Sequence, residues 1–227
     1  MNPGIPMQHR TTRLFCALAA ASAVLAFMPA HAVVLINTST TSGLNQSNSV
    51  GPDNWIAEAF TLAGSQLVVD SISAYVLSID PALDAGTSFS LAIYGNDASR
   101  NLPALDFSAD NQGRLFSTSV TYGGDGWSGA TGLRWALTPG RYWFAIESDA
   151  SGPGSLQVPA GALPAPDSVA YYSGTASYSH AGVGSADAFG LRVTAVPEPS
   201  PAAMLLGGLA LLATLKTGRR PAADSKG

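Results

Sequence analysis

Residues 88–94 read SFSLAIY, and this stretch decides the fold class of the chain. In an extended backbone successive side chains point to opposite sides, so every second residue shares a face. The two faces consist of Phe89, Leu91 and Ile93 on one side and of Ser90, Ala92 and Tyr94 on the other. This period of two predicts a half-buried strand in a sheet that has one solvated face.

The stretch LTPGRYWFAI, which starts at Leu137, predicts a hairpin. Pro139 and Gly140 supply the residue types that a tight turn between two strands requires. The strand that follows the turn alternates again, so one of its faces should pack on a core. The side chains that we expect to point inward from it are Tyr142, Phe144 and Ile146.

Turn signals rich in glycine, proline, asparagine and aspartate separate further short runs on both sides of these stretches. They predict strands at residues 33–37, 55–62, 66–77, 88–94, 114–122, 132–137, 141–147, 156–158, 168–173 and 189–196. About eight to ten short strands without an amphipathic helix between them predict an all-β domain, a single β-sandwich or jelly roll.

Polar residues interrupt this pattern in several places. Glu58 shares the parity of Ile56 and Phe60, and we interpret this break in an apolar face as a position near a sheet edge. The predicted loops are residues 38–49, 80–86, 95–113 and the glycine- and serine-rich stretch around His180.

The central part of the chain is acidic. Residues 33–196 contain five arginines, no lysine and thirteen acidic residues, a formal net charge of −8. An acidic surface without basic clusters argues against nucleic acid or anionic lipid as a partner. The only cysteine, Cys16, lies outside this part, so the domain has no internal disulfide and depends on its core, for which 164 residues suffice.

The N-terminus has the pattern of a signal peptide, predicted over residues 1–32. Arg10 and Arg13 precede the apolar stretch 14–28, which ends before the small-x-small site formed by Ala30 and Ala32. Such a segment is removed on export, which leaves Val33 as the first residue. The alternative is an uncleaved anchor helix, although 15 apolar residues are short for a membrane span.

The C-terminus, residues 196–227, combines three parts in a fixed order. The motif Val196-Pro197-Glu198-Pro199 precedes the uncharged apolar run 202–215, and Lys216, Arg219 and Arg220 follow within the basic end, 216–227. As a helix the run would extend about 21 Å, against about 30 Å for a hydrocarbon core. We therefore predict a short transmembrane helix, with the basic residues as a stop-transfer end on the cytoplasmic side.

This tail resembles the PEP-CTERM sorting signal of Gram-negative bacteria. The resemblance implies that an exosortase-type membrane protease recognises the motif Val196-Pro197-Glu198-Pro199, and that the chain reaches the cell surface or the extracellular matrix. The segment 221–227 continues beyond the basic cluster, where such tails often stop. The alternative is a proline-rich spacer before an ordinary C-terminal anchor.

The domain at residues 33–195 is similar to the choice-of-anchor modules. Three stretches carry the resemblance, namely W-x-A-x-A-F-T at 55–61, F-x-L-x-I-Y at 89–94 and L-x-P-G-x-Y-W at 137–143. It implies a β-rich surface module and no particular activity.

The residues offer few starting points for catalysis, and we assign no catalytic residue and no cofactor. His180 is the only histidine in residues 33–196, and no G-x-S-x-G turn accompanies it. Glu58 and Glu147 could cleave glycosides only if the fold brought their carboxylates together. A structural calcium site remains open among the loop aspartates Asp80, Asp84, Asp97, Asp106, Asp110 and Asp125.

Aromatic residues at turns and strand ends give the remaining functional signal. Trp127, Tyr171 and Tyr172 are candidates for stacking on sugars, although core packing explains most such rings. We therefore expect a non-catalytic exported surface or matrix protein, structural or adhesive in the envelope or exopolysaccharide. The alternative is a carbohydrate-binding module for exopolysaccharide, and the third hypothesis is a secreted hydrolase.

Overall fold

The computed structural model of the chain describes residues 32–39, 47–174, 177–182 and 187–197, with isolated positions at 205, 208, 209 and 212. Most of the predicted targeting segments lie outside these residues, including Ala30, Glu198, Pro199 and the basic residues Lys216, Arg219 and Arg220. Among the described residues, no helix has the length and apolar character needed to cross a membrane.

The described part of the chain contains thirteen strands and one short helix. The strands are β1 (Val33–Asn37), β2 (Ser47–Ser49), β3 (Trp55–Leu62), β4 (Leu67–Ser78), β5 (Ser88–Asp97), β6 (Leu102–Pro103), β7 (Arg114–Thr121), β8 (Gly126–Leu137), β9 (Gly140–Glu147), β10 (Leu156–Pro159), β11 (Val169–Tyr172), β12 (Ser179–Gly182) and β13 (Leu191–Pro197). Helix α1 (Pro81–Asp84) follows β4, and Asp80 caps it by accepting a hydrogen bond from the Leu83 N–H at 3.1 Å.

The strands form two antiparallel sheets. Residues Ala32–Pro197, which contain both sheets, fold as one unit. The six-stranded sheet has the order β1-β13-β4-β10-β2, and β8 pairs with β4. The seven-stranded sheet has the order β12-β11-β3-β9-β5-β6, and β7 pairs with β5. The arrangement is sandwich-like or near-barrel, and the consecutive strands β7 and β8 belong to different sheets.

The main core lies between the two sheets. It takes every second side chain of the central strands, so the period of two in the sequence predicted the inward face correctly. Tyr142, Phe144 and Ile146 point into it as expected, and the Phe144 and Phe189 rings pack with centroids 6.3 Å apart. Its fully buried members include Val69, Ile72, Phe89, Leu91, Ile93, Leu191 and Val193.

The prediction that β5 has one solvated face is wrong. Ala92 and Tyr94 are fully buried in a second cluster on the outer side of the seven-stranded sheet. Residues 98–113, predicted as a plain loop, fold over this side, and Leu102 and Leu105 enter the cluster. The other members of this outer aromatic cluster are Trp55, Ala57, Ala59, Trp143, Ala145, Ala170, Tyr172 and Tyr178.

Three further expectations need correction. Glu58 does not lie at an edge, since its strand is paired on both sides, with Phe144 and Val169 as the register partners of Glu58. His180 lies on β12 opposite Ala170 rather than in a loop. The ten predicted strands are all present, and the three that were missed, β2, β6 and β12, have only two to four residues each.

Candidate functional site

The two glutamates considered as a hydrolytic pair lie on opposite faces of the seven-stranded sheet. Glu58 has the parity of Ile56, which points into the core between the sheets. Glu147 is bonded to Tyr94, which belongs to the outer aromatic cluster. A glycosidase needs both carboxylates on either side of one bond, so this fold does not assemble that pair.

Glu58 is a buried carboxyl group, and no cation lies beside it among the described residues. Its Oε1 accepts a hydrogen bond from the Phe189 N–H at 2.5 Å, while Oε2 has no hydrogen-bond partner in the described part of the chain. Burial raises the pKa of Glu58 to about 8, against the opposing effect of the Phe189 N–H. The carboxyl fixes the segment that leads into β13, which Thr38 also holds through its hydroxyl, 2.9 Å from the Phe189 carbonyl oxygen.

Glu147 has the partners that Glu58 lacks. Its Oε2 lies 2.8 Å from Arg114 Nε, and its Oε1 accepts a hydrogen bond of 2.5 Å from the Tyr94 hydroxyl. Burial raises the pKa of Glu147, while Arg114 and Tyr94 oppose the rise. The Tyr178 hydroxyl also faces this group, and burial together with the Glu147 charge raises the pKa of Tyr178. The network joins β5, β7 and β9 beside the outer aromatic cluster.

His180 contacts a backbone carbonyl and an aromatic ring. Its Nε2 lies 3.1 Å from the carbonyl oxygen of Arg100, and its ring centroid lies 6.5 Å from that of Trp143. The neighbouring Ser179 hydroxyl donates to the Tyr171 carbonyl oxygen at 3.3 Å. These contacts tie β12 to the sheet and to residues 98–113.

The aspartates act mainly on the local backbone. Asp97, Asp106 and Asp149 each begin a D-x-S turn in which Oδ1 accepts from both the N–H and the hydroxyl of the serine two residues on. Serine hydrogen bonds lower the pKa of all three, that of Asp97 to about 2 with help from Arg100. Among the described residues, no group of three or more metal-ligating side chains comes together.

Asp84 and Asp125 hold the end of β4 through hydrogen bonds to Ser78. The buried Asp84 accepts hydrogen bonds from the hydroxyls of Ser78 and Ser155 at 2.7 and 2.6 Å. Burial opposes these bonds, which nevertheless lower the pKa of Asp84. Asp125 Oδ1 accepts from the Ser78 N–H at 2.9 Å and from the Tyr122 hydroxyl at 2.5 Å. Burial and then this carboxylate raise the pKa of Tyr122 to about 12.

A solvent-accessible groove of about 480 Å³ lies where β7 and β8 separate. Ser119 and Thr121 line it from β7, while Trp127 and Ser128 line it from β8, with Asp125 in the turn between them. The two strands are edge strands of different sheets, so their outer backbone groups face this seam. Further along the seam, Phe116 and Trp135 close it with rings stacked at 5.4 Å.

Trp127 is held in place from three sides. The Arg192 guanidinium carbon lies 3.8 Å from the centroid of the indole, and Arg192 Nε donates to Asn37 Oδ1 at 3.1 Å. The Tyr75 ring meets the indole edge-on, with centroids 5.6 Å apart. Gly190 allows this close approach, since a Cβ there would lie 2.8 Å from the Tyr75 Cβ. The sequence singled out Trp127 but gave no sign of Arg192.

The other two aromatic candidates lie elsewhere. Tyr172 is buried in the outer aromatic cluster, where its ring stacks on Trp55 at 4.4 Å. Tyr171, its neighbour on β11, packs against the core between the sheets. Both belong to the seven-stranded sheet, whereas Trp127 belongs to the six-stranded sheet. The three residues therefore do not form one surface, and of the three only Trp127 lines the groove.

The two ends of the described unit lie side by side. β1 pairs with β13 so that Val33 is opposite Ala195. β13 continues to Pro197 and pairs with β4, with Val196 opposite Val68 and Pro197 opposite Leu67. The first two residues of the predicted sorting motif are therefore extended and paired with β4, and they lie next to the predicted mature N-terminus.

No protein-family model matches this chain, and no curated protein is significantly similar to it.

Proposed function

We propose that the chain is a non-catalytic surface or extracellular-matrix protein, exported by its N-terminal signal and sorted by its C-terminal Pro-Glu-Pro tail. In this proposal a β-sandwich of jelly-roll type is the ectodomain, and the run 202–215 is a short transmembrane helix. The partners are the membrane and an exosortase-type protease of a Gram-negative bacterium. The role of the ectodomain is structural or adhesive in the envelope or exopolysaccharide.

The observation that carries the proposal is the pairing of Val33 with Ala195. The N- and C-termini of this domain lie side by side at one edge of the sheet. The domain can therefore be tethered to the membrane at the same place by its signal peptide before cleavage and by its C-terminal tail afterwards. The reactive side chains also fit this role, because Glu147 is bonded within the fold and Glu58 lies on the opposite face.

The test is the substitution Glu198→Ala in the full chain, expressed in a host that has an exosortase-type protease. Export should continue, while the full-length protein accumulates in the membrane and released protein disappears. Asp224→Ala, an acidic residue of the same tail outside the motif, is the matched control and should be processed normally. Immunoblots of membrane and medium fractions measure both. Unchanged processing of Glu198→Ala would remove the specific support for a sorting tail.

Carbohydrate binding is the second candidate function, and the accessible groove lined by Ser119, Thr121 and Ser128 favours it. Serine and threonine residues in such a groove are suitable hydrogen-bonding partners for a sugar. In this role the ectodomain would hold exopolysaccharide rather than only contribute bulk to the matrix.

A further inference from the structure

The last strand of the domain overlaps the predicted sorting motif. β13 ends at Pro197, which lies opposite Leu67 of β4, and Val196 lies opposite Val68. The unit that contains both sheets ends at the same residue. The first half of the motif therefore belongs to the sheet, and an enzyme that reads the whole motif meets it at the folded domain.

Upstream of the motif, β13 is firmly held. It lies between β1 and β4, and its inward side chains Leu191, Val193 and Ala195 are fully buried. A slip of the strand by one residue would turn these side chains to the other face, so the register is fixed. The strand therefore cannot yield the motif by sliding along β4.

The last two residues of β13 are held more weakly than the rest. The register of β1 ends with Val33 opposite Ala195, so among the described strands only β4 pairs with Val196 and Pro197. Pro197 has no N–H to donate, and the Val196 side chain is only half-buried. Strand ends with few partners open locally at a lower free energy than the whole domain does. Detachment of these two residues from β4 is therefore the motion that frees the motif.

This pairing competes with recognition of the motif. A peptide that is recognised in extended form gives its main-chain hydrogen bonds to the binding protein, and its side chains enter pockets there. While β13 is complete, β4 occupies one edge of the backbone of Val196 and Pro197. A protease cannot enclose these residues until they leave the sheet.

We propose that the sheet withholds the first half of the sorting motif, and that local detachment of Val196 and Pro197 from β4 controls cleavage of the tail. The control of sorting rests on the proposed function. The protection by the sheet does not, and it is tested separately.

The first test measures protection with a proline-specific endoprotease, which can cut after Pro197 whether or not a sorting pathway exists. The substrate is the full-length chain in detergent, and mass spectrometry follows the initial rate of cleavage between Pro197 and Glu198. Each rate is normalised to that of a synthetic peptide with the same sequence around the bond. Insertion of Gly-Ser-Gly-Ser between Ala195 and Val196 moves an unchanged motif off β4. It should speed cleavage about 5-fold or more, the factor that matches the net stabilisation by one backbone hydrogen bond.

The matched control carries the same insertion between Pro199 and Ser200. It lengthens the tail equally but leaves Val196 and Pro197 in register on β4, so the rate should stay that of the unchanged chain. Equal rates for the upstream insertion and the unchanged chain would overturn the proposal. Equal acceleration by both insertions would also overturn it, because the length of the tail rather than its pairing would then be the cause.

A disulfide supplies the opposite change. Val68→Cys with Val196→Cys joins two register partners, whose Cα separation in an antiparallel ladder suits a disulfide. Cys16→Ala removes the only other thiol of the chain. The oxidised protein should resist cleavage after Pro197, and reduction of the same protein should restore cleavage. Unchanged cleavage on oxidation would reject the proposal.

The control cross-link, Ser73→Cys with Arg192→Cys, joins the same two strands at register partners away from the motif. Its oxidation should leave the cleavage rate unchanged. A loss of cleavage equal to that with Val196→Cys would mean that opening is not confined to the end of β13, and would contradict local control.

Processing in the host that has an exosortase-type protease separates control of sorting from sorting itself. The upstream insertion should raise the fraction of released protein, measured as for Glu198→Ala. If this insertion speeds the endoprotease but not release, unpairing of β13 does not control sorting. If Glu198→Ala leaves processing unchanged, the sorting function fails, whereas the endoprotease rates still decide whether the sheet protects the motif.

Discussion

The two faces of the seven-stranded sheet show how differently one protein can bury a carboxyl group. The inner face packs on the other sheet with aliphatic and phenylalanine side chains, and Glu58 lies there with no cation beside it in the part of the chain that the structure describes. The outer face is covered by tryptophan and tyrosine side chains and by residues 98–113, and Glu147 lies there with Arg114 and Tyr94.

The difference follows from what each face can supply. Aromatic residues with polar tips bring donors and apolar area together, so a face covered by loops can be dry and still satisfy a charge. Trp55 shows this, because its indole N–H donates to the Ser148 carbonyl oxygen at 2.9 Å while its ring stacks on Tyr172. An aliphatic core offers Glu58 only a backbone N–H. We therefore expect Glu58 to be neutral at pH 7. We expect the charged form of Glu147 to depend on Arg114 for its stabilisation.

The largest expected effect is a loss of stability as the pH rises, because the buried Glu58 then becomes charged. Its pKa is about 8 in the folded chain and about 4.5 when exposed, so between these values only the folded state holds the proton. The contribution of Glu58 to the free energy of unfolding is largest below pH 4.5, falls as the pH rises to about 8, and is constant above that. The upper bound of this fall is on the order of 5 kcal/mol.

Urea unfolding of the full chain at pH 5, 7 and 9 measures this dependence. Glu58→Gln removes the titrating group and should give a flatter profile than the unsubstituted chain, with the largest gain at pH 9. Parallel profiles for the two proteins would show that Glu58 is not the source.

The next effect concerns the charge pair of the outer face. Arg114→Met leaves Glu147 buried without its cation, which should cost about 3 kcal/mol at pH 7. The double variant Arg114→Met with Glu147→Gln removes both charges and should recover a large part of that loss. Thermal or urea unfolding measures the difference. A double variant no more stable than Arg114→Met would contradict the view that an isolated charge is the cause.

The smallest effect separates two tyrosines of the outer aromatic cluster. Tyr94→Phe removes the hydroxyl that donates to Glu147 and lies 3.2 Å from Arg114 Nε, and should cost about 1 to 2 kcal/mol. Tyr178→Phe is the comparison, because its buried hydroxyl faces Glu147 but has no hydrogen-bond partner within the described residues. Since no hydrogen bond is lost, it should change the free energy of unfolding by less than about 0.5 kcal/mol. Equal costs would mean that both hydroxyls serve Glu147.

The strands could be predicted because their signals are local. Alternation over residues 88–94 and the Pro139-Gly140 turn need only neighbouring residues, and both appear as predicted in β5 and at the start of β9. The short strands β2, β6 and β12 have no such period, since pairing with another strand is what makes them extended. Their prediction requires the strand order, which the sequence does not display.

In the candidate site, too, local features could be predicted from the sequence and long-range contacts could not. Trp127 could be singled out from its place after a glycine-rich turn, whereas Arg192 reaches it because β13 and β8 pair with opposite edges of β4. Tyr172 has the same kind of local context as Trp127, yet it is buried under residues 98–113. Within this segment, the centroid of the Phe107 ring lies 5.7 Å from that of the Tyr172 ring. Exposure of an aromatic ring depends on what covers it, and that is decided at long range.

The sequence by itself determined the all-β fold class, the alternating faces of β3, β5 and β9 and the Pro139-Gly140 turn, because backbone sterics and side-chain alternation act over a few residues. Only the tertiary structure decided which faces are dry, which glutamate has a cation and where β7 and β8 leave a groove. These properties depend on strand order and on the coverage of one segment by another distant in sequence.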